Sequence, residues 1–368
     1  MKTRWRSDAG YSLMEMLVST AIMLVVTGAV FSLVNPSQGI SRVQPEFSDM
    51  QQRARVAADT LFRDLVMAGA GPYQGATTGS LANYFAPILP YRTGRSNPDP
   101  PGSFKDNTIT IVYVPNTSSQ TTISDPMPNE SAELKVNPQN GCPPDTNNLC
   151  GFHEGQSVLI FNPQTGAFDT FEITEVQAPA AHIQHRGQVF SEAYLPGAVV
   201  TETQSHTYYF DANQNQLRHY DGLANANSDV PVVDNVVALR FDYYGDPNPP
   251  TSPRPPSGVQ NCVVDSSGNP RLPTLAAETG SLVHLDRAIL TDGRPDWCGA
   301  GTNAFDPDLL RIRKVTITLR VQASDPALRG TDTRFFARPG KASLTPGGWV
   351  PDYETTFEVT PRNMNLVR

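Results

Sequence analysis

The signatures of several common catalytic frameworks are missing from this chain of 368 residues. It holds no Gly-x-Ser-x-Gly elbow, no His-Glu-x-x-His pair and no Walker-type phosphate loop, so serine-hydrolase, zincin and P-loop chemistry have no support. "PGKAS" at 339–343 lacks the earlier glycine of a phosphate loop. Basic residues are few, with 28 Lys and Arg against 36 Asp and Glu and a net charge of −8. A dedicated nucleic-acid binder presents a basic face, so no nucleic-acid partner is expected. Cysteine is scarce as well. There are four, and no Cys-x-x-Cys pair, which removes zinc-knuckle and thioredoxin-type sites.

Proline, by contrast, is abundant at 33 residues, so long stretches should be loop or extended chain. At about 150 residues per domain the length allows two domains or one enlarged one, and 39% hydrophobic residues suffice for a core. Cys142, Cys150, Cys262 and Cys298 all lie in loop-like sequence far from the N-terminus. An even count in an exported domain favours disulfides. Of three possible connectivities, the favoured one is Cys142–Cys150, closing "CPPDTNNLC", with Cys262–Cys298 closing a Pro/Gly-rich excursion. Free thiols are the alternative.

The N-terminus carries the strongest pattern. Lys2, Arg4 and Arg6 precede an apolar run from Tyr11 to Val34 in which Glu15 alone is ionisable. As a helix that run is about 36 Å long, enough to cross the hydrocarbon core, and the basic flank predicts a cytoplasmic N-terminus. A secretory signal peptide would have a shorter apolar core and a small-residue cleavage site; "VTGAVFS" fits that poorly. A plain single-pass anchor accounts for the length but not for Glu15, since a carboxylate in a span is costly.

Gly10-Tyr11-Ser12-Leu13-Met14-Glu15-Met16 resembles the cleavage and methylation motif of type IV prepilins. In that motif Gly, an aromatic residue, Thr, Leu, an aliphatic residue, Glu and Leu follow a short basic leader. Tyr stands here for the usual Phe, Ser for Thr, and Met in two aliphatic slots. The resemblance implies that a prepilin peptidase cuts after Gly10 and that the new N-terminus at Tyr11 is N-methylated. It also implies that Glu15 pairs with the N-terminal amine of a neighbouring subunit. The leader, 1–10, carries three basic residues and one acidic, so its removal leaves a net charge of about −10.

Residues 11–34 are then the membrane and filament-core helix, and 35–71 its amphipathic continuation. Pro36 and Pro45 are expected to interrupt or bend it. Phe47, Met50, Ala54, Ala57, Leu61, Leu65 and Ala68 recur at helical spacing on one face. Asp49/Arg53 and Arg55/Asp59 stand at i,i+4 on the other side, and Gly69, Gly71 and Pro72 end the helix. Beyond it, 72–368 reads as a β-rich ectodomain. Strand-like runs fall at 107–114, 156–162, 167–176, 206–211, 216–221, 233–245 and 310–323. Val315, Ile317, Leu319 and Val321 alternate with polar neighbours, and "NPQTG" and "DANQNQ" read as hairpin turns. Strands without intervening helices point to antiparallel pairing and an α+β fold: a long N-terminal helix packed on an antiparallel sheet. Two loop-rich insertions, about 115–151 and 246–308, each hold two cysteines.

"DTLFRDLVMAGAG", "HYDG", "VVDNVVALRFDYYG", "RKVTITLRV" and "EVTPRNMNL", in that order, resemble blocks of PilW-type minor pilins. That likeness implies a pilin fold, residence in the bacterial inner membrane, and passage into a pilus. Its implied partners are the other minor pilins, the major pilin and the inner-membrane assembly platform. Two alternatives stay open: a pseudopilin of a type II secretion system, and a pilus-tip adhesin acting through the insertions.

No catalytic constellation is found, and neither enzyme activity, a cofactor nor a metal is expected. Asp211, Asn213 and Asn215 begin like a calcium loop, but Gln216 and Gly222 break the pattern. The Asp pairs of "DGRPDW" and "FDPDLL" read as turn residues, with calcium binding as the alternative. His182 and His185 would face opposite sides of a strand but could share a metal on a helix, and the other histidines read as ordinary sheet or surface residues. In "HTYYF" and "FDYYG" alternate aromatics are expected in the core.

Overall fold

The computed structural model describes residues 10–72, 79–90, 104–131, 133–139, 141–143, 147–222, 228–276, 282–340 and 349–365, with 33–41 as backbone only. Residues 1–9 of the expected leader lie outside these. Two compact units emerge. One comprises the chain up to Gln51 together with Gln322–Asp352; the other is Gln52–Val321 with Tyr353–Arg368.

Helix α1 runs from Leu13 to Met67 without a break. Pro36 and Pro45, expected to interrupt or bend it, are both carried inside without an interruption. Each proline removes one backbone donor, and the hydrogen bonds of the adjacent turns maintain the helical path. Leu13–Ser32 is long and apolar enough to span a membrane and is exposed along its length; by length and composition it suits a membrane anchor or a signal sequence. Of the predicted apolar stripe, Met50, Ala54, Ala57, Leu61, Leu65 and Ala68 are all buried, while Phe47 is 43% exposed. Arg63 pairs with Asp59 at 3.1 Å. The helix stops at Gly69, whose φ of +78° suits a residue without Cβ.

In the smaller unit the segment after residue 321 is tied down by Glu46, whose Oε1 accepts Ser324 Oγ–H at 2.7 Å. Arg329 donates to the Ala323 carbonyl at 2.6 and 2.9 Å. Val350 donates to the Leu328 carbonyl at 2.9 Å.

The larger unit holds sixteen strands among the described residues, all paired antiparallel, in four sheets where one was expected. The first sheet runs β1 (Ile88–Leu89), β2 (Thr108–Tyr113), β10 (Gln204–Asp211), β11 (Gln216–Asp221), β12 (Val230–Asp234). The second runs β14 (Val283–Leu285), β13 (Val236–Gly245), β15 (Ile312–Val321), β16 (Tyr353–Val359). The third is β3 (Gln120–Thr122), β9 (Val199–Glu202), β5 (Ser157–Phe161), β6 (Phe168–Glu172). The fourth is β4 (Glu133–Lys135), β8 (His182–Gln184), β7 (Glu175–Gln177).

The fold is therefore α+β. The alternation in β15 holds, with Val315, Ile317, Leu319 and Val321 fully buried. The run 233–245 divides into β12 and β13 at Asn235, which adopts a left-handed φ of 58° and breaks the extended path. The stretch 115–151 is loop-rich but ordered in part: β3 and β4 lie in it, and Ile123, Leu134, Val136 and Leu149 join Val158 and Phe171 in a separate apolar core. Strands three residues long leave too little periodicity to stand out among prolines and asparagines. In 246–308 the structure adds β14 and the short helix α2 (Arg287–Leu290). Buried Arg311 holds this region by donating to the carbonyls of Pro247 at 2.9 Å and Pro273 at 2.7 Å.

Both disulfides join the favoured pairs, Cys142–Cys150 and Cys262–Cys298. Their sequence separations are 8 and 36, so loop closure predicts about 2.5 and about 4 kcal/mol of stabilisation respectively. In urea denaturation of the detergent-solubilised chain, replacing Cys262 and Cys298 by serine should cost more than replacing Cys142 and Cys150. The reverse order would show that native-state contacts outweigh chain entropy.

Candidate functional site

The N-terminal motif sits at the start of α1. Ser12 Oγ accepts the Glu15 N–H at 3.2 Å, and Glu15 Oε2 accepts the Ser12 N–H at 2.9 Å. This is a reciprocal capping box, for which Ser-x-x-Glu is the sequence signature. It gives Glu15 a local task, satisfying a donor that has no partner within the helix. A carboxylate has about four acceptor positions, so one capping bond does not exhaust it. Tyr11 is 89% exposed. Among the described residues, a Cβ placed on Gly10 would meet nothing within 4 Å.

A second group of polar side chains lies inside the larger unit. The β10–β11 register sets His206 opposite Asp221 and Tyr208 opposite His219, which puts all four on one sheet face. On α1, Asp64 sits in the apolar stripe between Leu61 and Leu65 and meets that face. Tyr208 donates its hydroxyl to Asp64 Oδ2 at 2.5 Å, and His206 Nδ1 is 3.9 Å from the same oxygen. Asp221 Oδ1 lies 2.6 Å from His206 Nδ1 and 2.9 Å from His219 Nε2, and the two nitrogens are 2.8 Å apart. Tyr113 Oη is 3.2 Å from His206 Nε2. Hydrogen bonds from His206 and His219 hold the Asp221 carboxyl well below the usual range. Burial, reinforced by Asp64, raises the Tyr208 hydroxyl. These histidines, expected to be ordinary sheet or surface residues, are brought together by the fold. The usable signal was the "DANQNQ" turn, because once that turn joins β10 to β11, His206 and Asp221 must face each other.

The remaining candidates separate. Asp211 Oδ1 accepts the N–H groups of Asn213 and Gln214 at 2.8 and 3.3 Å, as a hairpin turn requires. His182 lies 3.4 Å from Glu133. His185 is buried against Phe171 and Phe190, and burial lowers its pKa. Tyr208 and Tyr243 are buried, while Tyr209 and Tyr244 are partly exposed. The Asp pairs do meet: Asp292, Asp306 and Asp308 form one cluster. Asp306 accepts the N–H groups of Gly293 at 2.7 Å and Asp308 at 2.8 Å, and Asp308 pairs with Arg311, so these are turn and capping contacts.

No protein-family model matches the chain, and no curated protein matches it.

Asp306 supplies a pH prediction. Burial raises its pKa to about 7, against the two N–H bonds and with the Asp308 and Asp292 charges adding. The unfolded chain loses this proton near pH 4 while the folded chain keeps it. Stability should therefore fall as pH rises from about 4 to about 7 and level off above, with a slope of up to ~1.4 kcal/mol per pH unit. Asp306→Asn should flatten that part of a stability–pH profile. An unchanged slope would show that Asp306 is ionised throughout.

Proposed function

We propose that this chain is a prepilin-type subunit, a minor pilin of the type IV pilus, made with a cytoplasmic leader and held in the inner membrane by Leu13–Ser32. The observation that carries the reading is the sequence Gly10-Tyr11-Ser12-Leu13-Met14-Glu15 directly at the start of the one helix, among the described residues, apolar enough to span a bilayer. Glycine at position 10 suits this reading, because a residue without Cβ lets a peptidase approach the backbone closely. Prepilin peptidase cuts after Gly10, and Tyr11 becomes the methylated N-terminus. Other pilin helices then pack against residues 13–32, and the Glu15 carboxylate pairs with an incoming subunit's ammonium. The assembly platform, the major pilin and the other minor pilins are the partners this requires. Chemistry of the subunit's own is not part of the role.

Mass spectrometry of the N-terminal peptide from native membranes tests the processing step. The expected species starts at Tyr11 and carries one added methyl group; a chain that still starts at Met1 in cells with active prepilin peptidase would sink the reading. The Glu15 role has its own test. Glutamine preserves a capping box but has no charge. Glu15→Gln should leave cleavage intact and reduce incorporation into filaments at least tenfold, whereas normal incorporation would leave capping as the residue's whole task. Deletion of the gene should abolish surface pili; loss of exoprotein release with pili intact would move the subunit to a type II secretion machine.

A further inference from the structure

We propose that His206, His219 and Asp221 form a binding site for one divalent transition-metal ion of the zinc class, with Asp64 at its fourth position. This site lies outside the N-terminal segment and does not depend on the pilin reading.

The argument starts from proton counting. Three atoms, His206 Nδ1, His219 Nε2 and Asp221 Oδ1, stand 2.6, 2.8 and 2.9 Å from one another. An imidazole nitrogen either donates or accepts, and an ionised carboxylate only accepts. However the protons are placed, one edge of the triangle is a close contact between two like groups with no proton between them. Both imidazoles can donate to the Asp221 carboxylate, but their two nitrogens then face each other at 2.8 Å with no proton between them, a contact that a cation bound by all three atoms would remove. A circle through three atoms at these separations has a radius of about 1.6 Å. Zinc–ligand distances of about 2.0–2.2 Å place an ion about 1.3 Å out of that plane, and on binding the three donors would spread toward the roughly 3.4 Å separations of a tetrahedral site.

The donor set fits the same class. Two imidazoles and a carboxylate suit zinc and its neighbours, and they do not suit magnesium or calcium, which take oxygen cages. Asp64 Oδ2, 3.9 Å from His206 Nδ1, supplies the fourth ligand directly or through water. Asp64, His206 and His219 each offer an atom within 4.8 Å of the others. The surrounding contacts are those a metal site needs. With Nδ1 on the metal, His206 Nε2–H donates to Tyr113 Oη at 3.2 Å, and Tyr208 orients Asp64. The Asp221 side chain is 62% exposed, so an ion has a path from solvent. The consequence is mechanical. One ion would tie helix α1, through Asp64, to the β10–β11 hairpin.

The test uses the full chain without a polyhistidine tag, solubilised in detergent, stripped with chelator and dialysed against Zn²⁺. Elemental analysis should give one zinc per chain, and zinc should raise the thermal midpoint. Co²⁺ in its place should give the visible absorption of a tetrahedral site. Asp221→Asn should weaken zinc binding at least tenfold and lose most of the zinc-induced rise in melting, read against that variant's own metal-free form. The double variant His206→Gln/His219→Gln should lose the ion entirely. Stoichiometric zinc in the double variant would place the metal elsewhere. Absence of bound zinc from the wild-type chain, with no shift in its melting, would overturn the proposal.

Discussion

From Ala54 to Ala68 one face of helix α1 is buried, and the larger unit is organised about that stripe. Leu61 and Leu65 are fully enclosed, each contributing about 1.5–3 kcal/mol by leaving water. The chain after the helix continues the contact through backbone groups. Gly69 donates to the Val112 carbonyl at 3.1 Å and Val114 to the Ala70 carbonyl at 2.7 Å, so the end of β2 is pinned beside the helix terminus. β2 pairs with β10 and β10 with β11, and the first sheet grows outward from that anchor.

A carboxylate in the middle of this stripe is an exception that needs compensation. Asp64 is 8% exposed, and an unpaired buried charge is strongly unfavourable. The Tyr208 hydroxyl and the nearby His206 supply the partners. The helix register and the β10–β11 register are thereby coupled at one point, since a one-residue slip of either strand would turn His206 or Tyr208 to the opposite face. A polar contact inside an apolar interface adds specificity to burial that would otherwise tolerate sliding.

The rest of the larger unit solves a different problem. The third and fourth sheets are built of short strands around their own core, which includes Leu149, next in sequence to Cys150 of the Cys142–Cys150 bridge. The 246–308 region has little regular structure. It is held by Cys262–Cys298 and by Arg311, whose guanidinium satisfies loop carbonyls that lie far apart in sequence. Covalent and charge-assisted links substitute there for sheet ladders.

What the sequence determined by itself was local: the apolar run with its Glu15, the helical stripe from Met50 to Ala68, the alternation in β15, the hairpin turns and the short-range cysteine pair. Each depends on spacing within a dozen or so residues, and that periodicity is written in the order of side chains. The four-sheet division was not legible, because strands of three residues carry too little pattern. Nor was the continuity of α1 through Pro36 and Pro45, which rests on cooperative hydrogen bonding in the turns on either side. Only the tertiary structure brought Asp64 to His206, His219 and Asp221, more than 140 residues away along the chain. The reason is physical: such a cluster depends on which helix face meets which sheet face, and no local spacing encodes that encounter.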